Sequence, residues 1–233
     1  MKHTEKELQA LKEEESQMWK LVISQLEKSK QAFMSGDIEL AREIASREKR
    51  VDAFELKIDS DCENYIALYS PVAIDLRLVL SLIKISNTLE RIGDFCEGIA
   101  RHVIEDECNK IGPQVIEKLQ LEKMFESLIS MLSDSFVALD SENTKISGKI
   151  LSKDDEIDTI YHDALDILSK HIADNEDGAQ SAQKVRCVLK LILLIRKLER
   201  IGDHCSNIVE EIVFYVDAKV LKHCIKNQLS ANK

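Results

Sequence analysis

The hexamer LERIGD stands at residues 89–94, inside ISNTLERIGDFCEGIARHV, and again at residues 198–203, inside LIRKLERIGDHCSNIVEEIV. Six identical residues at an interval of 109 mark an internal duplication. The apolar positions around each copy decide the fold. Leu78, Leu82, Ile85, Leu89, Ile92, Cys96, Ile99 and Val103 follow alternating steps of four and three. Cys187, Leu191, Leu194, Leu198, Ile201, Cys205, Ile208 and Ile212 repeat those steps. Such a stripe runs down one side of an α-helix and packs it against other helices. Cys96 and Cys205 fall within it, which makes them small apolar core residues.

Upstream of each copy the pattern predicts another helix. The first carries Ile44, Val51, Ile58 and Tyr65 at seven-residue steps, and the second Ile150, Ile157, Ala164 and the nearby Leu168. A further amphipathic helix opens each half, over residues 3–34 and 114–139. The stretch SGDIEL (35–40) supplies a glycine stop and an aspartate N-cap. Ser70–Pro71 breaks the chain before the first hexamer helix. Gly112 and Pro113 stand side by side in NKIGPQ, the best boundary between halves. ADNEDGAQSAQ (173–183) is the matching turn in the second half. The expectation is an all-α protein of six long helices in two tandem three-helix bundles, residues 1–111 and 112–233. The tail after Asp217 adds a short seventh helix or frays.

Composition agrees. The 233 residues are 44% hydrophobic and 32% charged, with 7 Gly and 2 Pro. Few breakers and many charges mean long amphipathic helices. Alternating runs that would signal strands are missing. The net charge of −10 argues against general attraction to nucleic-acid phosphates or an anionic membrane. It suits binding of cations or of basic patches on proteins. The N-terminal stretch has no signal-peptide core, and no apolar run approaches membrane-spanning length, so a cytoplasmic location is expected. Cys62, Cys96, Cys108, Cys187, Cys205 and Cys224 include no C-x-x-C pair or zinc spacing and read as buried free thiols.

The hexamers also carry chemistry. Glu90 and Asp94 are four apart, as are Glu199 and Asp203. Glu48/Asp52 and Asp154/Asp158 repeat that spacing on the upstream helices. Like charges so placed repel by about 0.2–0.5 kcal/mol per pair. The pairs lie away from the apolar seam or at its edge. Antiparallel neighbours would gather up to four carboxylates per half on one outward patch. Two readings are open. Oxygen ligands in that number suit iron, manganese, magnesium, calcium or zinc, whose charge would remove the repulsion. Alternatively the patch is a solvated acidic face, relieved by Arg91, Arg196 and Arg200. Gly93 and Gly202, each about 1 kcal/mol worse than Ala in a helix, point first to close helix packing.

At this point the chain resembles a known family. SPVAIDLRLVLSLIKISNTLERIGDFCEGIARHV (70–103) is similar to the signature of the PhoU family, regulators of bacterial high-affinity phosphate uptake. KVRCVLKLILLIRKLERIGDHCSNIVEEI (184–212) resembles its second copy. The likeness spans nearly the whole chain and implies two similar three-helix bundles side by side. It implies multinuclear metal clusters, one on Glu48, Asp52, Glu90 and Asp94, the other on Asp154, Asp158, Glu199 and Asp203. The metal would be iron, manganese, zinc or magnesium. Arg77, Arg186, Arg91 and Arg200 also match, the last two as supports for the carboxylates. The family's histidine and asparagine after the aspartate are kept as His204 and Asn207, but the first copy has Phe95 and Gly98. The second half also has Lys184 and no SPVA segment, so its turn need not copy the first. By resemblance the protein is a negative regulator and not an enzyme. It would couple the phosphate ABC transporter, through its ATPase subunit, to the sensor histidine kinase of the phosphate response. A homodimer is expected, with no nucleic-acid binding and no membrane embedding.

Two rivals remain. A ferroxidase-like carboxylate-bridged enzyme needs Glu-x-x-His motifs facing a bundle core. Three residues before His102, His162, His171, His204 and His223 stand Ile99, Thr159, Leu168, Ile201 and Val220, none of them Glu. The other rival is a metal-free helical adaptor.

Overall fold

The computed structural model describes residues 3–105, 113–173 and 178–221. The elements are α1 (His3–Ser35), α2 (Ile38–Tyr69), α3 (Ala73–Ile104), α4 (Pro113–Lys118), α5 (Leu121–Asp140), a 3₁₀ turn (Thr144–Ile146), α6 (Ser147–Ala173) and α7 (Gly178–Asp217). The described residues contain no strand. All sixteen stripe residues of the two hexamer helices are buried, as are Ile44, Val51, Ile58, Tyr65, Ile150, Ile157, Ala164 and Leu168. Burial of one face per helix is what draws them together. α1, α2 and α3 pack on one another, and so do α5, α6 and α7.

The first turns form as their residues dictate. Gly36 takes a left-handed φ of 67°, and Asp37 caps α2 by accepting from the Leu40 amide at 3.0 Å. Ser70 closes α2 in the left-handed region, its amide donating to the Ile66 carbonyl, and Pro71 follows. The helix expected over 114–139 is instead two, α4 and α5, broken at Gln120 with φ 50°. Leu119 and Leu121 are both buried. A continuous helix would aim them about 200° apart, so the break admits both to the core. In the second half the helix α7 already begins at Gly178, which makes the connection shorter than the stretch 173–183. Part of that stretch, the unit boundary at 111/112 and the tail beyond residue 221 lie outside the described residues.

Among the described residues the halves meet chiefly where α3 packs on α7 and α1 on α5. Arg77 Nε donates to the Tyr215 carbonyl at 3.0 Å, Lys84 pairs with Glu211 at 3.0 Å, and Lys190 Nζ donates to the Glu105 carbonyl at 3.2 Å. Positions rise along α3 as they fall along α7, so the two helices are antiparallel. Phe95 and His204, each the residue after its hexamer, stack with ring centroids 5.6 Å apart. The duplicated hexamers therefore lie side by side at the seam. Between α1 and α5, the Trp19 indole donates to the Leu132 carbonyl at 3.1 Å.

Cys62, Cys96 and Cys205 are free and buried, and burial pushes the Cys62 and Cys96 thiols up to about 12. Cys187 is disulfide-bonded, contrary to the free-thiol expectation. Disulfides join residues distant in sequence, so spacing did not reveal it. Cys108 and Cys224 lie outside the described residues.

One core group works against the fold. Both carboxylate oxygens of Glu15 are buried without a hydrogen-bond partner. Burial, then the charge of Asp59, raise its pKa well above the ordinary 4.5. The folded state therefore binds this proton more tightly than the unfolded state. Its penalty is absent below about pH 4.5 and grows as pH rises towards the folded pKa. The protein is expected to melt at lower temperature at pH 8 than at pH 5. E15M should flatten that dependence and add about 2 kcal/mol at pH 8, read by circular-dichroism melts at both pH values.

Candidate metal centre

The antiparallel hairpin of α2 and α3 sets Glu48 and Asp52 against Glu90 and Asp94. Carboxylate oxygens of Glu48, Asp52 and Asp94 all lie within 4.8 Å of one another. The register is set one residue away, where Val51 rests on Gly93. A Cβ at Gly93 would stand 3.2 Å from Val51 Cγ1 and 3.4 Å from Gln25 Oε1. The glycine thus lets α2 come close enough to bring its acids beside those of α3.

Electrostatics mark the cluster as short of positive charge. Burial raises Glu48, with Asp52, Glu97 and Asp94 adding to it. Glu90 is pushed up to about 7 by burial first, then by Asp94, Asp52 and Glu55. Asp94 is raised by burial, Asp52 and Glu97, while Arg91 opposes. Carboxylates crowded this way take up protons unless a cation replaces them. The donor set fits a hard or borderline cation, since every ligand atom is a carboxylate oxygen.

The second edge has the same plan with different partners. Asp154 Oδ2 accepts from the Ser206 hydroxyl at 2.8 Å. A Cβ at Gly202 would stand 2.7 Å from Asp154 Oδ1 and 3.4 Å from Ile157 Cδ1. Glu199 is raised by burial, Asp203 and Asp158, with Arg200 and Arg196 opposing. Asp203 pairs with Arg200 at 3.4 Å. Among the described residues, the convergence of three ligand atoms within 4.8 Å occurs at the first edge.

Three contributors escaped the sequence reading. Glu55 and Glu97 join the first cluster, and Ser206 holds Asp154 at the second. Glu97 and Ser206 are equivalent positions of the repeat. This exchange removes one negative charge from the second edge, although Arg101 ties Glu97 at 2.7 Å. Their signal was the i,i+3 spacing from Asp52, Asp94 and Asp203. Arg91 and Arg200 do flank the acids. Both also lie near His204, whose pKa falls to about 4, through burial first and then Arg200 and Arg91. His204 is buried against Phe95, Asn207 and Arg186 are exposed, and Arg77 serves the α3–α7 seam.

The two glycines make different predictions. G93A gains about 1 kcal/mol of helix propensity but crowds Val51, an overpacking of about 1–3 kcal/mol. A net loss of about 1 kcal/mol is expected in urea unfolding. G202A should displace Asp154 from Ser206 and weaken any cation binding at the second edge. The first edge should be unaffected, as isotherms of both variants would show.

A duplicated helical bundle, joined along its two hexamer helices and bearing an acidic edge in each half, is the class defined by fold and site. The PhoU domain family model matches residues 16–103 and 121–212. The chain belongs to the PhoU family. It is 29% identical to the phosphate-specific transport system accessory protein PhoU homolog 1 of Thermotoga maritima, over 99% of this chain and 96% of that protein. It is 31% identical to the PhoU homolog of Aquifex aeolicus, over 94% and 95%. With the Escherichia coli phosphate-specific transport system accessory protein PhoU it shares 30%, over 93% and 86%. The crystal structure of PhoU from Pseudomonas aeruginosa superposes with a TM-score of 0.84 at 26% identity, over 92% of this chain and 99% of that one. The phosphate transport system regulatory protein PhoU from Streptococcus pneumoniae gives 0.83 at 27%, over 94% and 99%.

Proposed function

We propose that this protein is an accessory, negative regulator of phosphate uptake and of the phosphate-starvation response, and not an enzyme. It restrains the phosphate ABC transporter through its ATPase subunit and couples it to the sensor histidine kinase by protein contacts. The observation that carries this reading is the match along nearly the whole chain, in both repeats, to relatives named phosphate-specific transport system accessory proteins. The acidic surface and net charge of −10 support contacts with basic patches on partner proteins. Among the described residues no helix is long and apolar enough to cross a membrane, which supports action from the cytoplasm on the transporter's inner face. The protein acts as a homodimer of two-unit chains, with residues 1–111 and 112–233 as the units.

In this reading Glu48, Asp52, Glu90 and Asp94 hold one metal centre, and Asp154, Asp158, Glu199 and Asp203 the other, with Arg91 and Arg200 as flanking supports. The bound ions, iron, manganese, zinc or magnesium, would neutralise each acidic edge and clamp α2 to α3 and α6 to α7. Deleting the gene should raise phosphate-starvation gene expression in phosphate-rich medium, and the intact gene should restore it. An unchanged response would sink the regulatory reading. Tagged protein should recover the transporter ATPase and the kinase from phosphate-rich cells, and recovery of neither would remove the coupling role.

A further inference from the structure

A crevice of about 230 Å³ opens between the C-terminal end of α3 and the N-terminal part of α7, on the seam that joins the repeats. Its rim carries Arg101, Lys190 and Lys197, and Glu105 is the one carboxylate lining it among the described residues. Leu193, 60% exposed, and the buried Leu194 form an apolar wall. The volume is below the roughly 300–1,000 Å³ of sites for larger organic ligands. It suits a compact anion.

Among the described residues, two of the three cations have no carboxylate partner. Lys197 makes no hydrogen bond or ion pair among the described residues, although it is half-buried. Lys190 donates to the backbone carbonyl of Glu105 and to no carboxylate. Arg101 is paired with Glu97 but leaves most of its side chain exposed. Surface lysines of an acidic helical protein ordinarily find acids on their own helix, as Lys57 does with Asp61 at 2.7 Å.

The duplication sharpens the point. Lys190 and Lys197 stand where the first repeat has Ser81 and Thr88, and Arg101 stands where the second has Glu210. At the opposite end of the seam Lys84 is neutralised by Glu211. Positive charge thus gathers at one end of a pseudo-symmetric seam, in a chain of net charge −10. Gly98, where the first copy departs from the asparagine of the second, supplies the room. A Cβ there would stand 2.5 Å from Lys197 Nζ. The missing side chain gives the ammonium its seat.

We propose that this crevice binds a phosphoryl anion, held by Lys190, Lys197 and Arg101 and bridging the two repeats. Such cations recognise phosphate oxygens by charge-assisted hydrogen bonds. The anion is either free inorganic phosphate or pyrophosphate, or the phosphate of an organic molecule whose apolar part lies on Leu193. The site adjoins the α2–α3 acidic edge through the Arg101–Glu97 pair but needs no metal.

The test is calorimetric titration of the full chain, stripped of metal with a chelator, with inorganic phosphate, pyrophosphate and ATP in turn. At least one should bind saturably, one per chain. K190S/K197T, which installs the first repeat's residues, should weaken that binding at least tenfold with an unchanged helical spectrum. G98A keeps every charge but displaces the Lys197 ammonium, and should weaken it several-fold. Saturation by phosphate or pyrophosphate identifies the free anion, and saturation by ATP alone identifies an organic phosphate. No saturable binding of any of the three, or undiminished binding by K190S/K197T, overturns the site. Undiminished binding by G98A overturns the seat assigned to Lys197.

Discussion

D52N/E90Q/D94N is expected to lose divalent-cation binding at the α2–α3 edge by more than the 10–100-fold that removal of an outer-shell partner brings. Three of the carboxylates crowded there become neutral, and Glu48 is left as the single charge of the set. The variant should also move stability in the opposite direction from metal affinity. Without metal, the parent's edge bears mutual repulsion and desolvated charge, the two causes that push Glu90 up to about 7. Its folded state binds that proton more tightly than the unfolded chain does. The penalty is absent below the unfolded value and complete above about pH 7. At pH 8 the metal-free variant should therefore melt above the metal-free parent. Loading with manganese, zinc or iron should raise the parent's melting temperature, since binding to the native state alone stabilises it. The variant should respond little. Elemental analysis of loaded and dialysed protein gives the count directly. No metal above background in the parent would leave the metal-free adaptor as the better reading.

W19A should cost about 3–5 kcal/mol of stability, a factor of at least about a hundred in the folding equilibrium. Trp19 is fully buried, packs near Phe136 at 5.7 Å and donates its indole N–H to the Leu132 carbonyl of α5. The change leaves a cavity and takes from the Leu132 carbonyl its second donor, its bond within α5 remaining, where α1 packs on α5 between the halves. W19F retains most of the apolar volume and should lose only about 1 kcal/mol, the net worth of the indole hydrogen bond. Urea unfolding separates the two. Equal losses would mean that the hydrogen bond dominates, and a W19A loss below about 1 kcal/mol would show that this contact does not hold the halves together.

The stripes in α3 and α7 were legible because apolar spacing records the face that a helix buries, whichever neighbour it buries against. The Asp37 cap and the Ser70 stop were legible because their chemistry is local. The break at Gln120 was not, since it depends on two leucines finding one core from both sides of the turn. At the candidate site, the four i,i+4 acid pairs could be read from the chain, and the structure brings those of the first half to one edge. Glu55 and Glu97 were passed over at i,i+3, where single acids look like ordinary surface. The hold of Ser206 on Asp154 joins residues 52 apart, and no spacing rule reaches that far.

The sequence by itself determined the helical class, the duplication, the buried faces and the family. All of these are written in residue periodicity and in the match of one stretch to another. Only the tertiary structure decided the rest. It set Val51 over Gly93, which fixes how near α2 brings its acids to α3. It laid α3 antiparallel to α7, which stacks Phe95 on His204 and collects Arg101, Lys190 and Lys197 at one end of the seam. It buried Glu15 without a partner. The physical reason is common to them all. A helix's own pattern says which side turns inward, but the register between two helices is settled by side chains that meet across the gap. Those meetings join residues with no fixed separation in the chain.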